Sequence, residues 1–119
     1  MQECEFDVIF YTKPDGTKPA MDFLDSLDIK MKAKMSRTIA VLQSGGNYLR
    51  EPYSKHLSDG IFELRAKVGS DVSRVLYFFI VGKQAILTNG FVKKTDKTPT
   101  EEIDRAKQYR SDYLIREND

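Results

Sequence analysis

The sequence predicts an α+β domain: an N-terminal strand and a helical hairpin packed on an antiparallel sheet, closed by a C-terminal helix. Three observations predict it. A β-branched, aromatic segment opens the chain. Two stretches then carry apolar residues at helical spacing. Three strand-like runs follow, separated by short polar turns, and a capped helix ends the order. The 119 residues are 40% hydrophobic and 31% charged. That balance suits a single domain over residues 1–119 with its own core, and argues against wholesale disorder.

Phe6-Asp7-Val8-Ile9-Phe10-Tyr11 reads as the first strand. Lys13-Pro14-Asp15-Gly16 supplies turn chemistry. Thr17 is the expected cap of a short helix, with Pro19 in its first turn and Ala20, Phe23, Leu24 and Leu27 on one face. Asp28 restarts the chain as the cap of a second helix. Met31, Met35, Ile39 and Leu42 follow one side of it, a stripe read as core, and Gly45-Gly46 ends it. Lys30, Lys32, Lys34 and Arg37 lie on its other faces and read as solvated.

Asn47 to Gly60 reads as irregular and contains Pro52. From Ile61 the period becomes two. Phe62, Leu64, Ala66 and Val68 face one way; Glu63, Arg65 and Lys67 face the other. Val72 to Val81 is apolar on both faces, as a central strand is. Gln84 to Val92 completes a three-stranded meander. Thr98-Pro99-Thr100-Glu101 has the pattern of a capping box, opening a helix with Ile103, Ala106, Tyr109, Tyr113 and Leu114. With the hairpin on one face of the sheet, the other is expected to display the charged residues of the first meander strand.

Several function classes drop out. The longest apolar run, Val75 to Val81, is far too short to cross a bilayer, so no membrane role is expected. Met1-Gln2-Glu3-Cys4-Glu5 carries no signal-peptide pattern. Cys4 is the single cysteine and His56 the single histidine. No internal disulfide or Cys/His metal centre is then available, and a cytoplasmic location, with no metal or other cofactor, is expected. The net charge of +1 hides an asymmetry: −5 over residues 1–28, +8 over 29–97 and −2 over 98–119 by count of acids and bases. The basic middle suits either an anionic partner such as nucleic acid or a solvated surface.

Three motifs carry a family resemblance. Leu57-Ser58-Asp59-Gly60-Ile61-Phe62-Glu63-Leu64-Arg65, with Lys55 before it, resembles the K-x-L-x-x-G-L-x-E-L-R signature of HigB-like toxins in the RelE/ParE superfamily, which has many phage-derived members. Ser73-Arg74-Val75-Leu76-Tyr77-Phe78 resembles the Y-R-[IV]-x-Y strand, with Ser73 in place of the first tyrosine. Gly90-Phe91-Val92-Lys93-Lys94-Thr95, then Thr98-Pro99, resembles the passage from the last strand to the last helix. The resemblance runs from about Lys55 to Arg110, and Tyr11 to Leu27 also looks like the family's first strand and helix.

The resemblance implies a RelE/ParE-like fold and the toxin of a toxin–antitoxin pair. It implies metal-independent cleavage of messenger RNA, typically on the ribosome, and a helix-turn-helix (HigA-like) antitoxin as partner. Two other readings stay open: a ParE-like binder of DNA gyrase, and a phage-derived accessory protein without activity. Cleavage by the 2′-hydroxyl needs a base, cations for the phosphorane and an acid. Arg65 and Arg74 are the first candidates, with bidentate phosphate contact set against an ion pair with Glu63. Arg74 shares the face of Arg65 if the intervening loop has four residues, and takes the other face if it has three. Lys93 is a proton shuttle or phosphate contact, and Glu63 a general base or the arginines' partner. Lys55, His56, Lys94 and Lys97 are candidate RNA contacts, with His56 also a candidate acid. Tyr77 either stacks on a base or packs in the core. Glu51 is a weaker base candidate.

Overall fold

A computed structural model of the chain describes residues 6–45, 49, 53–80, 83–93 (backbone only at Lys93) and 97–117. Its elements are β1 (Asp7–Phe10), α1 (Pro19–Ser26), α2 (Ile29–Gly45), β2 (Ser54–Ser58), β3 (Ile61–Val68), β4 (Asp71–Ile80), β5 (Gln84–Lys93) and α3 (Thr100–Glu117). The strands form one five-stranded sheet in the order β1-β5-β4-β3-β2. This is the predicted α+β class, and it is consistent with a RelE-like fold. β2 to β5 run antiparallel to their neighbours, while β1 adds to the edge of β5 in parallel. The central strand β4 is buried from Ser73 to Phe78, as its two-sided apolar pattern requires.

The helical hairpin starts differently from the sequence expectation. Thr17 does not cap α1; Lys18 stands at the cap position without a side-chain hydrogen bond. The Thr17 amide and hydroxyl both donate instead to Asp15 Oδ1, at 2.9 and 2.8 Å, closing a local turn before Pro19 begins the helix. Asp28 behaves as expected, its Oδ1 accepting the Met31 amide at 2.9 Å. Met31, Met35, Thr38 and Leu42 are the buried side of α2, so the methionine stripe is core.

The segment read as irregular contains β2. Asp59 and Gly60 have φ of 51° and 81°, the double left-handed geometry of a two-residue hairpin turn, and Ser58 pairs with Ile61 across it. The Asp-Gly dipeptide is the sequence cause, and it places Lys55 and His56 on a strand instead of in a loop.

Both faces of the sheet are covered. On one, α1 and α2 pack over Leu64, Ala66, Val75, Tyr77, Ala85 and Leu87. On the other, α3 packs over Ile61, Leu76, Phe78 and Ile86 through Ala106, with Tyr109 and Tyr113 beside it. The face expected to be open is therefore largely roofed by α3, whose backbone begins near the end of the sheet that carries the arginines. On the hairpin face Gly90 is a packing requirement: a Cβ there would collide with the Phe23 ring. Among the described residues no helix is long and apolar enough to cross a membrane.

Candidate nucleic-acid interface

The β3–β4 hairpin brings the site together. Val68 pairs with Asp71, so the loop is only Gly69 and Ser70, with Gly69 at φ 64°. Neither loop length considered from sequence occurs. The two-residue loop sets Arg65 directly opposite Arg74, on the same face of the sheet. Opposed like charges destabilise a strand pair. Here a third group on that face offsets them.

Glu63 is that group. Its side chain is 0% exposed, and Arg74 is 1% exposed. Arg65 Nε donates to Glu63 Oε2 at 2.8 Å, and Arg74 Nη1 lies 3.8 Å from Glu63 Oε1. The Thr98 hydroxyl donates to Glu63 Oε1 and accepts from Arg74 Nη1 at 3.4 Å. Thr98, the cap expected from the sequence, lies outside α3, and its hydroxyl proton goes to the buried carboxylate. A buried carboxylate needs such a full set of partners. With both oxygens engaged and no exposure, Glu63 is placed to hold the guanidiniums in position. Arg65 keeps 23% of its side chain exposed and presents the cluster to solvent.

The remaining sequence candidates separate. Lys55 pairs with Glu63 across β2 and β3, so it shares the face of the arginines at the sheet edge, exposed. His56 pairs with Phe62 and lies on the opposite face, its ring 5.0 Å from that of Phe62. Its Nε2 accepts the Gly60 amide at 3.2 Å, which ties the ring to the hairpin turn and keeps it apart from the Glu63 cluster. Tyr77 is a core residue, 1% exposed, with its hydroxyl 2.5 Å from that of Ser54. Burial pushes its phenol up to about 12, opposed by the Ser54 hydrogen bond, and it offers no ring face to a base. Lys93 pairs through its backbone with Val72. Lys97 is exposed on the approach to α3. Lys94 and Glu51 lie outside the described residues.

A cleft of about 510 Å³ opens beside the arginines. Arg65, Arg74, Lys67, Lys34, Tyr53 and Val72 line it. Four cations and one aromatic ring meet there, and no carboxylate is among the described lining residues. Such a surface attracts anions, holds phosphate through planar guanidinium forks and offers a ring for stacking. Among the described residues no group of three or more His, Cys, Asp or Glu side chains converges for a metal ion.

Sequence reasoning missed Lys34, Tyr53 and Thr98. Lys34 sits among lysines that read as solvated, yet it is one turn from the buried Met31 and Thr38, a spacing that places it at the border of the packed face. Tyr53 fell within the supposed irregular segment. Nothing in the sequence pairs Thr98 with Glu63, because the contact spans thirty-five positions.

Comparison with known proteins bears on the same region. No curated protein matches the chain. The family model described as phage-derived protein Gp49-like (DUF891) matches residues 22–111, a span holding α2, both hairpins of the cluster and every described residue of the cleft. The chain therefore belongs to the Gp49-like family of phage-derived proteins, a family tied to toxins of the RelE/HigB type.

Proposed function

We propose that this protein is a HigB-like toxin that cleaves messenger RNA on the ribosome without a metal, in the cytoplasm, and is held inactive by a helix-turn-helix antitoxin. The observation that carries the reading is the cleft in which Arg65 and Arg74, held by buried Glu63, meet Lys34 and Lys67. In this reaction the 2′-hydroxyl oxygen bonds to the adjacent phosphorus and the bond to the 5′-oxygen breaks. The products are a 2′,3′-cyclic phosphate and a 5′-hydroxyl. Arg65 and Arg74 stabilise the charge that builds on the phosphorane oxygens. Glu63 keeps them in pose. Lys93, whose backbone pairs with Val72 at the cleft, moves the proton between the entering and leaving oxygens. Lys55, at the sheet edge beside Glu63, and Lys97 hold flanking phosphates.

The test is induced expression of the chain by itself, with and without Arg65→Ala. Growth arrest, with new RNA ends bearing cyclic phosphates that vanish in the variant, is the expected result. Intact transcripts with accumulating DNA breaks would instead identify a gyrase binder, and growth without arrest an inactive accessory protein.

A further inference from the structure

The cleft is not confined to the face that carries Glu63, Arg65 and Arg74. Lys34 and Thr38 line it from α2, which packs on the opposite face. The cleft therefore bends around the edge of the sheet. It can do so because β2 begins only at Ser54, opposite Leu64, whereas β3 runs on to Val68. Past that point Tyr53 O accepts the Arg65 amide at 2.9 Å, and among the described residues no strand pairs with β3 farther along this edge. The opening left there is floored by β3 and walled by Lys34 and Tyr53.

Both wall residues are presented to the opening. Lys34 Nζ donates to the Lys67 carbonyl at 3.2 Å, which fixes the ammonium at the edge, and an ammonium carries three donors. Tyr53 is 46% exposed, its carbonyl accepts the Arg65 amide, and both residues line the cleft. At about 510 Å³ the cleft is within the size range of pockets for drug-sized ligands, more than a single phosphate fills. A phosphate at Arg65 and Arg74 would leave the Lys34–Tyr53 side for the adjoining unit of the same strand. A cation and an exposed ring lining one cleft suit one more nucleotide: a ring takes a base by stacking whatever its sequence, and an ammonium takes the phosphate.

Resting on the reading of the cleft as an RNA site, we propose that Lys34 and Tyr53 form a subsite for the nucleotide next to the scissile phosphate, with Tyr53 stacking its base and Lys34 holding its phosphate. Length and base content of the bound strand then matter for affinity beyond charge.

The experiment measures binding of uncleavable 2′-O-methyl oligoribonucleotides by fluorescence anisotropy at several salt concentrations. The strands run from two to four nucleotides, each also made with one abasic position. Wild type, Tyr53→Leu, Tyr53→Phe and Lys34→Gln are compared, with melting temperature as a control for folding. Tyr53→Leu is expected to weaken the fully based trinucleotide about tenfold, to leave the matching abasic strand unaffected, and to be rescued by Tyr53→Phe. Lys34→Gln is expected to reduce the logarithmic salt slope by about 0.7. Equal losses on based and abasic strands would overturn stacking, and an unchanged salt slope would overturn the phosphate contact. Wild-type binding that neither wall variant alters would sink the subsite and leave the arginine cluster standing. Failure of the folded wild type to bind any of these strands would instead sink the RNA reading on which the subsite rests.

Discussion

The two faces of the sheet are written into the same two strands, residue by residue. Along β3 and β4, Leu64, Ala66, Val75 and Tyr77 turn toward the helical hairpin, while Glu63, Arg65, Arg74 and Leu76 turn toward α3. The hairpin face closes with apolar side chains, and its buried polar pair, Tyr77 with Ser54, is neutral. The α3 face closes the same way over Leu76 and Phe78, but its end near Thr98 holds a buried carboxylate and a buried guanidinium. Apolar residues of similar volume often serve stability as well as a buried ion pair does, so burial of Glu63 and Arg74 is weak support for a purely structural role. What the cluster provides is a second guanidinium, Arg65, fixed in direction and facing the cleft.

That contrast can be broken most forcefully at the buried charges. Glu63→Ala leaves Arg74 at 1% exposure without its nearby carboxylate, and a loss of about 3–5 kcal/mol in denaturant unfolding is expected. Leu64→Ala, one residue along and on the other face, is expected to cost about 2–5 kcal/mol through a cavity, with the cluster's chemistry untouched in the fraction that stays folded. Near-equal stability of Glu63→Ala and wild type would mean that Arg74 finds another anchor.

Arg65 sharpens the contrast from the functional side. Its side chain is partly exposed, so water replaces part of what Arg65→Ala removes from the buried Glu63 Oε2, and a loss of about 1–3 kcal/mol is expected. Cleavage of ribosome-bound message should nevertheless fall about a hundredfold or more, as when one preorganised donor is removed. Single-turnover rates beside melting curves separate the two effects. A well-folded variant with unchanged cleavage would remove Arg65 from the site.

Each face also holds a phenol that responds to alkali. Burial raises Tyr77 to about 12, and burial together with the Asp112 carboxylate raises Tyr11 to about 12, from the usual 10.0. Above pH 10 the unfolded chain releases these protons before the folded one does. Stability from both groups is therefore complete below pH 10 and is lost as pH rises through about 12. For Tyr77 the loss is about 2–3 kcal/mol. Urea midpoints at pH 9, 10.5 and 11.5 should fall steadily in wild type and more shallowly in Tyr77→Phe. A smaller effect is expected at Thr98→Val, about 1–3 kcal/mol, because Glu63 Oε1 loses its hydroxyl donor in a site without water access.

The sequence conveyed the periodic parts of this picture. Alternation in Ile61–Val68 set which residues face together, the methionine spacing marked the buried side of α2, and Asp28 announced a cap that the structure uses. It did not convey β2, although Asp59-Gly60 is a strong hairpin signal; Pro52 and the polar flanks mask the pattern of a five-residue strand. Within the site, Glu63 and Arg65 were legible because they are two positions apart on one strand. Arg74 was half legible, since its face depends on a loop length that periodicity does not fix. Lys34, Tyr53 and Thr98 were not, because each reaches the cluster from a different element. His56 misled through its residue type: it lies one position from Lys55 in sequence and on the other face in space.

Binding of single-stranded RNA at the cationic end of the α3 face, with its bend toward α2, can be mapped on the protein itself. Amide chemical shifts of the isotope-labelled wild-type chain would be followed while an uncleavable 2′-O-methyl trinucleotide is added. Shifts are expected to concentrate at Tyr53, Arg65, Ala66, Lys67, Val72 and Arg74, with a second group near Lys34, and none at the Asp59-Gly60 turn or along Tyr109 to Arg116. Shifts centred on that turn or on the far end of α3, with the cleft silent, would contradict it.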